Sequence, residues 1–215
     1  MNNFDLSLYL VTDESLLKGR DLEQLVEEAI KGGITMVQLR EKNISTIEFY
    51  DKACSLKKLL APHNIPLIIN DRLDIAIACD ADGIHIGQSD MPYSIVRKIL
   101  GKDKIIGLSV ETVEQAREAN DLDVDYIGLS PVFSTNTKTD INTPLELEGI
   151  KEIASFTKHK TVAIGGINTG NTGDIIKNGA DGIAVISAII SQESPRNAAS
   201  ELKNIIKEAK INHEI

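Results

Sequence analysis

Short β-branched apolar runs recur along the chain, each ending where the side chains turn polar or give way to glycine: 7–13 (SLYLVTD), 35–40 (TMVQLR), 66–71 (PLIIND), 83–87 (GIHIG), 104–109 (KIIGLS), 126–130 (YIGLS), 161–166 (TVAIGG) and 182–187 (GIAVIS). Runs of this length, bounded by turn residues, read as eight strands. Between them the apolar positions change to helical spacing. Asp21 can cap a segment in which Leu22, Leu25, Val26, Ala29 and Ile30 form one stripe, and Gly32-Gly33 stops it. Phe49, Ala53, Leu56 and Leu60 mark a helix over 46–60 closed by Pro62, and Val113, Ala116 and Ala119 another over 112–120. A short helix is expected over 74–79. Ser194-Pro195 is a cap followed by a first-turn proline, opening a last helix that carries Ala198, Leu202, Ile205, Ile206 and Ala209.

Strands alternating with helices imply right-handed βαβ units and a parallel sheet. Eight units in 215 residues match the size of a single (β/α)8 TIM barrel, with residues 1–215 as one domain. The rival is an open doubly wound sheet, which usually announces a dinucleotide with G-x-G-x-x-G early in the chain. That motif and a Walker A sequence are both absent, and GGINTG at 165–170 has the wrong spacing for either.

Composition narrows the function. With 42% hydrophobic residues and mixed charges the chain reads as an ordinary soluble globular protein, and its net charge of -9 argues against a nucleic-acid binder. An anionic ligand must therefore be captured by a local cluster. The opening MNNFDLSLYLVTDESLL has no basic leader, and Asp5 and Asp13 interrupt its apolar run. No stretch approaches a membrane span. Cys54 and Cys79 show neither metal spacing nor a disulfide framework, and four scattered histidines form no zinc constellation. A cytoplasmic protein acting on small molecules, without membrane or nucleic-acid partners, is the expectation; a homo-oligomer is compatible with it.

In a barrel of this kind ligands bind at the C-terminal ends of the strands. Polar residues collect there. Gln38, Arg40 and Lys42 share one face of the second strand, with Val37, Leu39 and Glu41 on the other. Asn70 and Asp71 end the third, Asp90 follows the fourth and Ser109 ends the fifth. The sixth runs into a loop bearing Thr135, Asn136, Thr137 and Lys138; Gly165-Gly166 end the seventh and Ser187 the eighth. Each has a bland reading. An exposed edge strand would explain residues 38–42, helix capping would explain Asn70-Asp71, Asp90 and Ser187, and His85 is most often a satisfied interior histidine.

Together the group fits a polyanion and a metal. Arg40, Lys42 and Lys138 are the charge-assisted donors that phosphate oxygens prefer. Asp71 and Asp90 suit Mg²⁺, which usually takes one or two carboxylates and completes its octahedron with water and substrate phosphates. Gly165-Gly166 and the end of the eighth strand match the recurrent barrel site for a second phosphate.

At these residues the sequence resembles the thiamine phosphate synthase (thiamine-phosphate pyrophosphorylase) family. The resemblance rests on YLVTD at 9–13, VQLREK at 37–42, IND at 69–71, ADGIHIGQSDMP at 81–92, IGLS at 106–109, DYIGLSPVFSTNTK at 125–138, AIGGI at 163–167 and AVIS at 184–187, nearly the whole chain. It implies a transferase of thiamine biosynthesis. Such an enzyme condenses 4-amino-2-methyl-5-hydroxymethylpyrimidine diphosphate with thiazole phosphate, or its carboxylated form, in a dissociative substitution that releases pyrophosphate. By resemblance, Gln38, Leu39, Arg40, Glu41, Lys42, Asn70, Ser109 and Lys138 hold the pyrimidine diphosphate, with Arg40, Lys42, Ser109 and Lys138 in catalytic roles. Asp71 and Asp90 bind Mg²⁺, and Thr135, Asn136, Thr137, Gly166, Ile186 and Ser187 hold the thiazole phosphate.

The loop departs from the family pattern in having Ser130-Pro131 and Ser134 where a Gly-Pro and a second proline are common. Residues 134–144 are expected to act as a lid. Two alternatives stand beside the main reading: a thiazole tautomerase relative, which has no use for diphosphate, and a non-catalytic phosphate-binding barrel, which needs no acid pair.

Overall fold

The structure is a computed structural model that describes residues 4–134 and 143–211. Eight strands pair in parallel and in chain order: β1 (Leu8–Val11), β2 (Met36–Leu39), β3 (Leu67–Asn70), β4 (Gly83–Ile86), β5 (Ile105–Val110), β6 (Tyr126–Leu129), β7 (Lys160–Ile164) and β8 (Gly182–Val185). β8 returns to pair with β1, which closes the barrel. Around it in chain order run α1 (Leu22–Gly32), α2 (Thr46–Leu60), α3 (Leu73–Ala78), α4 (Tyr93–Leu100), α5 (Val113–Ala119), α6 (Glu146–Phe156), α7 (Thr172–Lys177), α8 (Ser187–Ile190) and α9 (Pro195–Ile211).

The helix signals act as the spacing implies. The Asp21 side chain accepts from the N–H of Gln24, and Gly33 ends α1 in a left-handed conformation at φ 99, which costs glycine nothing. Ser45 and Glu48 form a capping box at the start of α2, Thr112 caps α5, and Ser194 Oγ accepts from Asn197 N at 3.2 Å. A 3₁₀ turn over Ala61–His63, containing Pro62, follows α2. Three helices, α4, α6 and α7, complete the alternation where the apolar stripe is shorter.

Strand alternation sorts the core into two shells. Leu8, Leu10, Val37, Leu39, Ile69, Ile84, Ile127 and Val185 face outward into the layer under the helices. Leu6, Tyr9, Val11, Met36, Ile68, Ile105, Tyr126, Val162 and Ala184 fill the barrel interior. By the same parity Gln38, Asn70, His85 and Ser109 are inward positions. No described helix is long and apolar enough to cross a membrane, and Cys54 and Cys79 are free thiols.

Candidate active site

The mouth at the C-terminal ends of β2 to β5 holds a compact polar group. After Asn70 the chain turns through Asp71 at φ 61, a left-handed conformation that Asp tolerates better than most residues. The Asp71 N–H donates to the carbonyl of His85 on β4 at 2.9 Å, which fixes the turn. Its carboxyl then meets that of Asp90 within hydrogen-bonding reach, with the Asn70 side chain as a further partner and the Lys42 charge nearby. Loss of water and then the neighbouring Asp90 push the Asp71 carboxyl up to about 6, while Lys42 and Asn70 pull it the other way. Asp71 lies open at the mouth on its outer side; the desolvation comes from the walls behind it. Asp90 is anchored from its own loop, where Oδ2 accepts from Gly87 N at 2.7 Å.

Capping does not account for these carboxylates. α3 begins after Arg72 and α4 after Pro92, and neither start has a side-chain cap bond. Nor is residue 38–42 an exposed edge strand. Gln38 and Arg40 are buried inside a closed sheet, and Lys42 alone of the three is exposed at the mouth.

Arg40 has a counter-charge that sequence reasoning missed. Its Nη1 donates to Asp13 Oδ2 at 2.9 Å, and its backbone N–H donates to Thr12 Oγ1 at 3.0 Å. Asp13 takes one of five guanidinium N–H groups, so the fork keeps donors for a ligand. The clue lay in YLVTD, where Asp13 repeats the inward parity of Tyr9 and Val11. Leu39 and Glu41 differ from the expectation for site residues. Leu39 is in the outer core shell, and Glu41 is buried against Lys52 Nζ at 3.0 Å, so both reach the mouth only through main chain.

Across the mouth a cavity of about 640 Å³ is walled by Gly165, Gly166, Ile186, Ser187 and Asp13. Gly165 and Gly166 take φ 103 and 67. A Cβ on Gly166 would lie 2.7 Å from Phe133 Cβ and 2.9 Å from Ser134 O, so glycine is required there by conformation and by space. Ser187 is exposed as the first residue of α8, whose cap position is Ile186. Thr135, Asn136, Thr137 and Lys138, with most of the expected lid, lie outside the described residues.

A larger hollow of about 1010 Å³ opens at the opposite end, among Phe4, Lys57, Asp82 and Lys104. Its charges are already paired, Lys57 with Asp82 at 2.6 Å and Lys104 with Asp80 at 2.5 Å, and it collects no polar strand ends.

Comparison with known proteins gives the same picture a family. Residues 8–189 match the family described as thiamine monophosphate synthase. The chain belongs to that family. It is 51% identical over 203 residues to the thiamine-phosphate synthase of Clostridium novyi (strain NT), a match covering 94% of this chain and 100% of the other. With the thiamine-phosphate synthase of Clostridium acetobutylicum it shares 50% identity over 207 residues, 96% and 98% of the two chains. The solved thiamine phosphate pyrophosphorylase from Pyrococcus furiosus aligns with a TM-score of 0.87 at 39% identity, over 95% of this chain and 96% of that one.

Within this thiamine monophosphate synthase barrel, no described cluster offers three or more His, Cys, Asp or Glu groups to a metal. Asp71 and Asp90 remain as a two-carboxylate pair. Their donor set fits a hard divalent cation that takes its remaining ligands from water and phosphate. The two carboxyls meet in a partly desolvated place, where burial first and Asp90 second raise Asp71, and a bound divalent cation would offset that cost.

Proposed function

We propose that the chain condenses 4-amino-2-methyl-5-hydroxymethylpyrimidine diphosphate with thiazole phosphate to give thiamine phosphate and pyrophosphate, or with its carboxylated form to give the same two products and carbon dioxide. One observation carries the reading: Asp71 and Asp90 meet at the mouth with the Lys42 charge beside them, and Arg40 is buried two residues before Lys42 at the end of β2. A barrel that only bound a monophosphate would have no use for that acid pair.

In the reaction the bond between the pyrimidine methylene and its diphosphate oxygen breaks, and the electron pair leaves with pyrophosphate. The aminopyrimidine delocalises the cation left behind, and the thiazole nitrogen forms the new C–N bond with its own lone pair. No proton has to be removed, so no catalytic base is needed. Lys42 and the open donors of Arg40, whose guanidinium is already held by Asp13, stabilise charge as it builds on the departing diphosphate. Mg²⁺ on Asp71 and Asp90 would add neutralising charge to the same oxygens. Asn70 orients Asp71, and Ser109 offers a hydroxyl from β5. The thiazole phosphate is assigned to the cavity bounded by Gly166, Ile186 and Ser187. By resemblance Thr135, Asn136, Thr137 and Lys138 complete the ligand set.

The purified chain is expected to release pyrophosphate only with both heterocycles and Mg²⁺ present, and to stop on addition of EDTA. Binding of thiazole phosphate without any pyrophosphate release would replace this reading with that of a phosphate-binding barrel. Gly166→Ala is expected to raise the KM for thiazole phosphate about tenfold, because the new Cβ displaces Phe133 and Ser134 at the cavity wall. The KM for the pyrimidine diphosphate should stay within about twofold; equal changes in both would remove Gly166 from the thiazole side.

A further inference from the structure

Five side chains from five strands form a hydrogen-bonded chain through the barrel interior. Gln38 Nε2 donates to the Tyr9 hydroxyl at 2.9 Å. The hydroxyls of Tyr9 and Tyr126 lie 3.0 Å apart, Tyr126 OH is 3.0 Å from His85 Nδ1, and His85 Nε2 is 2.8 Å from Ser109 Oγ. Both phenols are fully buried, Gln38 and His85 nearly so, and Ser109 reaches the mouth.

The barrel gives up side-chain volume to admit this chain. The segment IGLS occurs at 106–109 and again at 127–130, and its two glycines face the chain from β5 and β6. A Cβ on Gly107 would collide with the Tyr126 ring and sit 2.6 Å from His85 Nδ1; one on Gly128 would sit 3.1 Å from His85 Cε1. Register puts the same residues side by side, His85 opposite Gly107 and Gly107 opposite Tyr126.

Such a chain runs in one direction. A phenol has one proton to give, and a neutral imidazole has one N–H and one acceptor nitrogen. Burial raises both phenols above their ordinary range, so both keep their protons. With the Gln38 amide donating to Tyr9, the Tyr9 proton goes to Tyr126. Reversal at that step would leave a buried hydroxyl proton with no acceptor, which is costly in a dry interior. Tyr126 then donates to His85 Nδ1, and His85 donates from Nε2 to Ser109.

We propose that Tyr9, Tyr126 and His85 are positioning residues that hold His85 as the Nε2–H tautomer and so make Ser109 a hydrogen-bond donor towards the bound pyrimidine diphosphate. The ligand named here rests on the function proposed above; the hydrogen-bond direction does not. Ser109 receives its bond from within and has its own proton left for the mouth. Its main chain is held independently by Gln88 Nε2, 2.6 Å from the Ser109 carbonyl.

The test is ¹⁵N–¹H correlation of the histidine rings in the ligand-free full chain, with His85 identified by the signals lost in His85→Gln. The expected result is an N–H at Nε2 and a bare Nδ1; an N–H at Nδ1 overturns the proposal. Tyr126→Phe should mix the two tautomers and lower kcat about tenfold, the scale of losing an outer partner that orients a ligand-contacting group. Its KM for thiazole phosphate should stay within about twofold. Retention of both the Nε2–H tautomer and full kcat would overturn the proposal. Should Tyr126→Phe not fold, His85→Gln and His85→Leu decide. The Gln amide can still donate to Ser109 and should keep about tenfold more activity than Leu; equal loss overturns the donor role. A protein that shows the Nε2–H tautomer but releases no pyrophosphate would sink the assigned reaction and leave the hydrogen-bond direction supported.

Discussion

Asp71→Asn, which keeps a side chain suited to the left-handed turn at φ 61, releases pyrophosphate about 100-fold or more slowly than the wild type at saturating Mg²⁺ and both substrates, while its thermal unfolding temperature stays the same or rises. The two halves of this expectation have one cause. Asp71 is held beside Asp90 in a left-handed turn, with its carboxyl shifted up to about 6 by desolvation and by its acidic neighbour. The folded protein without a cation therefore gains nothing from that negative charge. Its removal relieves a repulsion, although the open side of Asp71 lets water screen much of it. The loss is confined to turnover, through a weaker hold on Mg²⁺ and on the departing diphosphate. Steady-state kinetics across a Mg²⁺ titration, with a melting curve in EDTA, measures both. Near-normal turnover would remove Asp71 from the metal role, and a large drop in stability would mean that the carboxylate supports the fold.

Asp13→Ala has the opposite signature. Asp13 and Arg40 bury their side chains to 14% and 9% exposure and meet at 2.9 Å. Deleting one member of a buried pair leaves the other charge without compensation, a loss of about 3–5 kcal/mol. The Asp13 carboxyl also accepts from Ser15 N at 3.0 Å, capping the 3₁₀ turn that follows β1, which adds about 1 kcal/mol. Urea unfolding should show this loss. The KM for the pyrimidine diphosphate should rise as well, because Arg40 loses the contact that aims its fork. The double variant Asp13→Ala/Arg40→Met should recover much of the stability and none of the activity. Destabilisation below about 1 kcal/mol for Asp13→Ala would place Arg40 in solvent-like surroundings.

Much of the barrel was legible because its signals are local. A β-branched run, a helical stripe and a cap depend on residues a few positions apart, and all eight strands appear within a residue or two of their apolar runs. The strand-end rule then drew attention to Asn70, Asp71, Asp90 and Ser109, since parallel closure brings C-terminal ends to one mouth whatever the loops contain. Parity along β2 was enough to turn Gln38 and Arg40 inward. The same parity turns the Leu39 and Glu41 side chains away from the mouth, which leaves those two only their main chain to offer a ligand.

What stayed hidden were pairings across the barrel. Tyr9, His85 and Tyr126 lie on strands far apart in sequence, and nothing in any one segment tells which hydroxyl faces which ring nitrogen. Asp13 reads as a turn residue until β1 and β2 are side by side and Arg40 comes within reach. The repeated IGLS segments look like ordinary strands, and their glycines acquire meaning only with Tyr126 and His85 packed over them. Periodicity, polarity and strand-end chemistry, written along the chain, were sufficient for the barrel and for the location of its site. Which charges are compensated, which carboxylates are forced together and which way the interior hydrogen bonds point depended on closure of the sheet, because those interactions act through a few ångströms of space between residues that sequence keeps tens of positions apart.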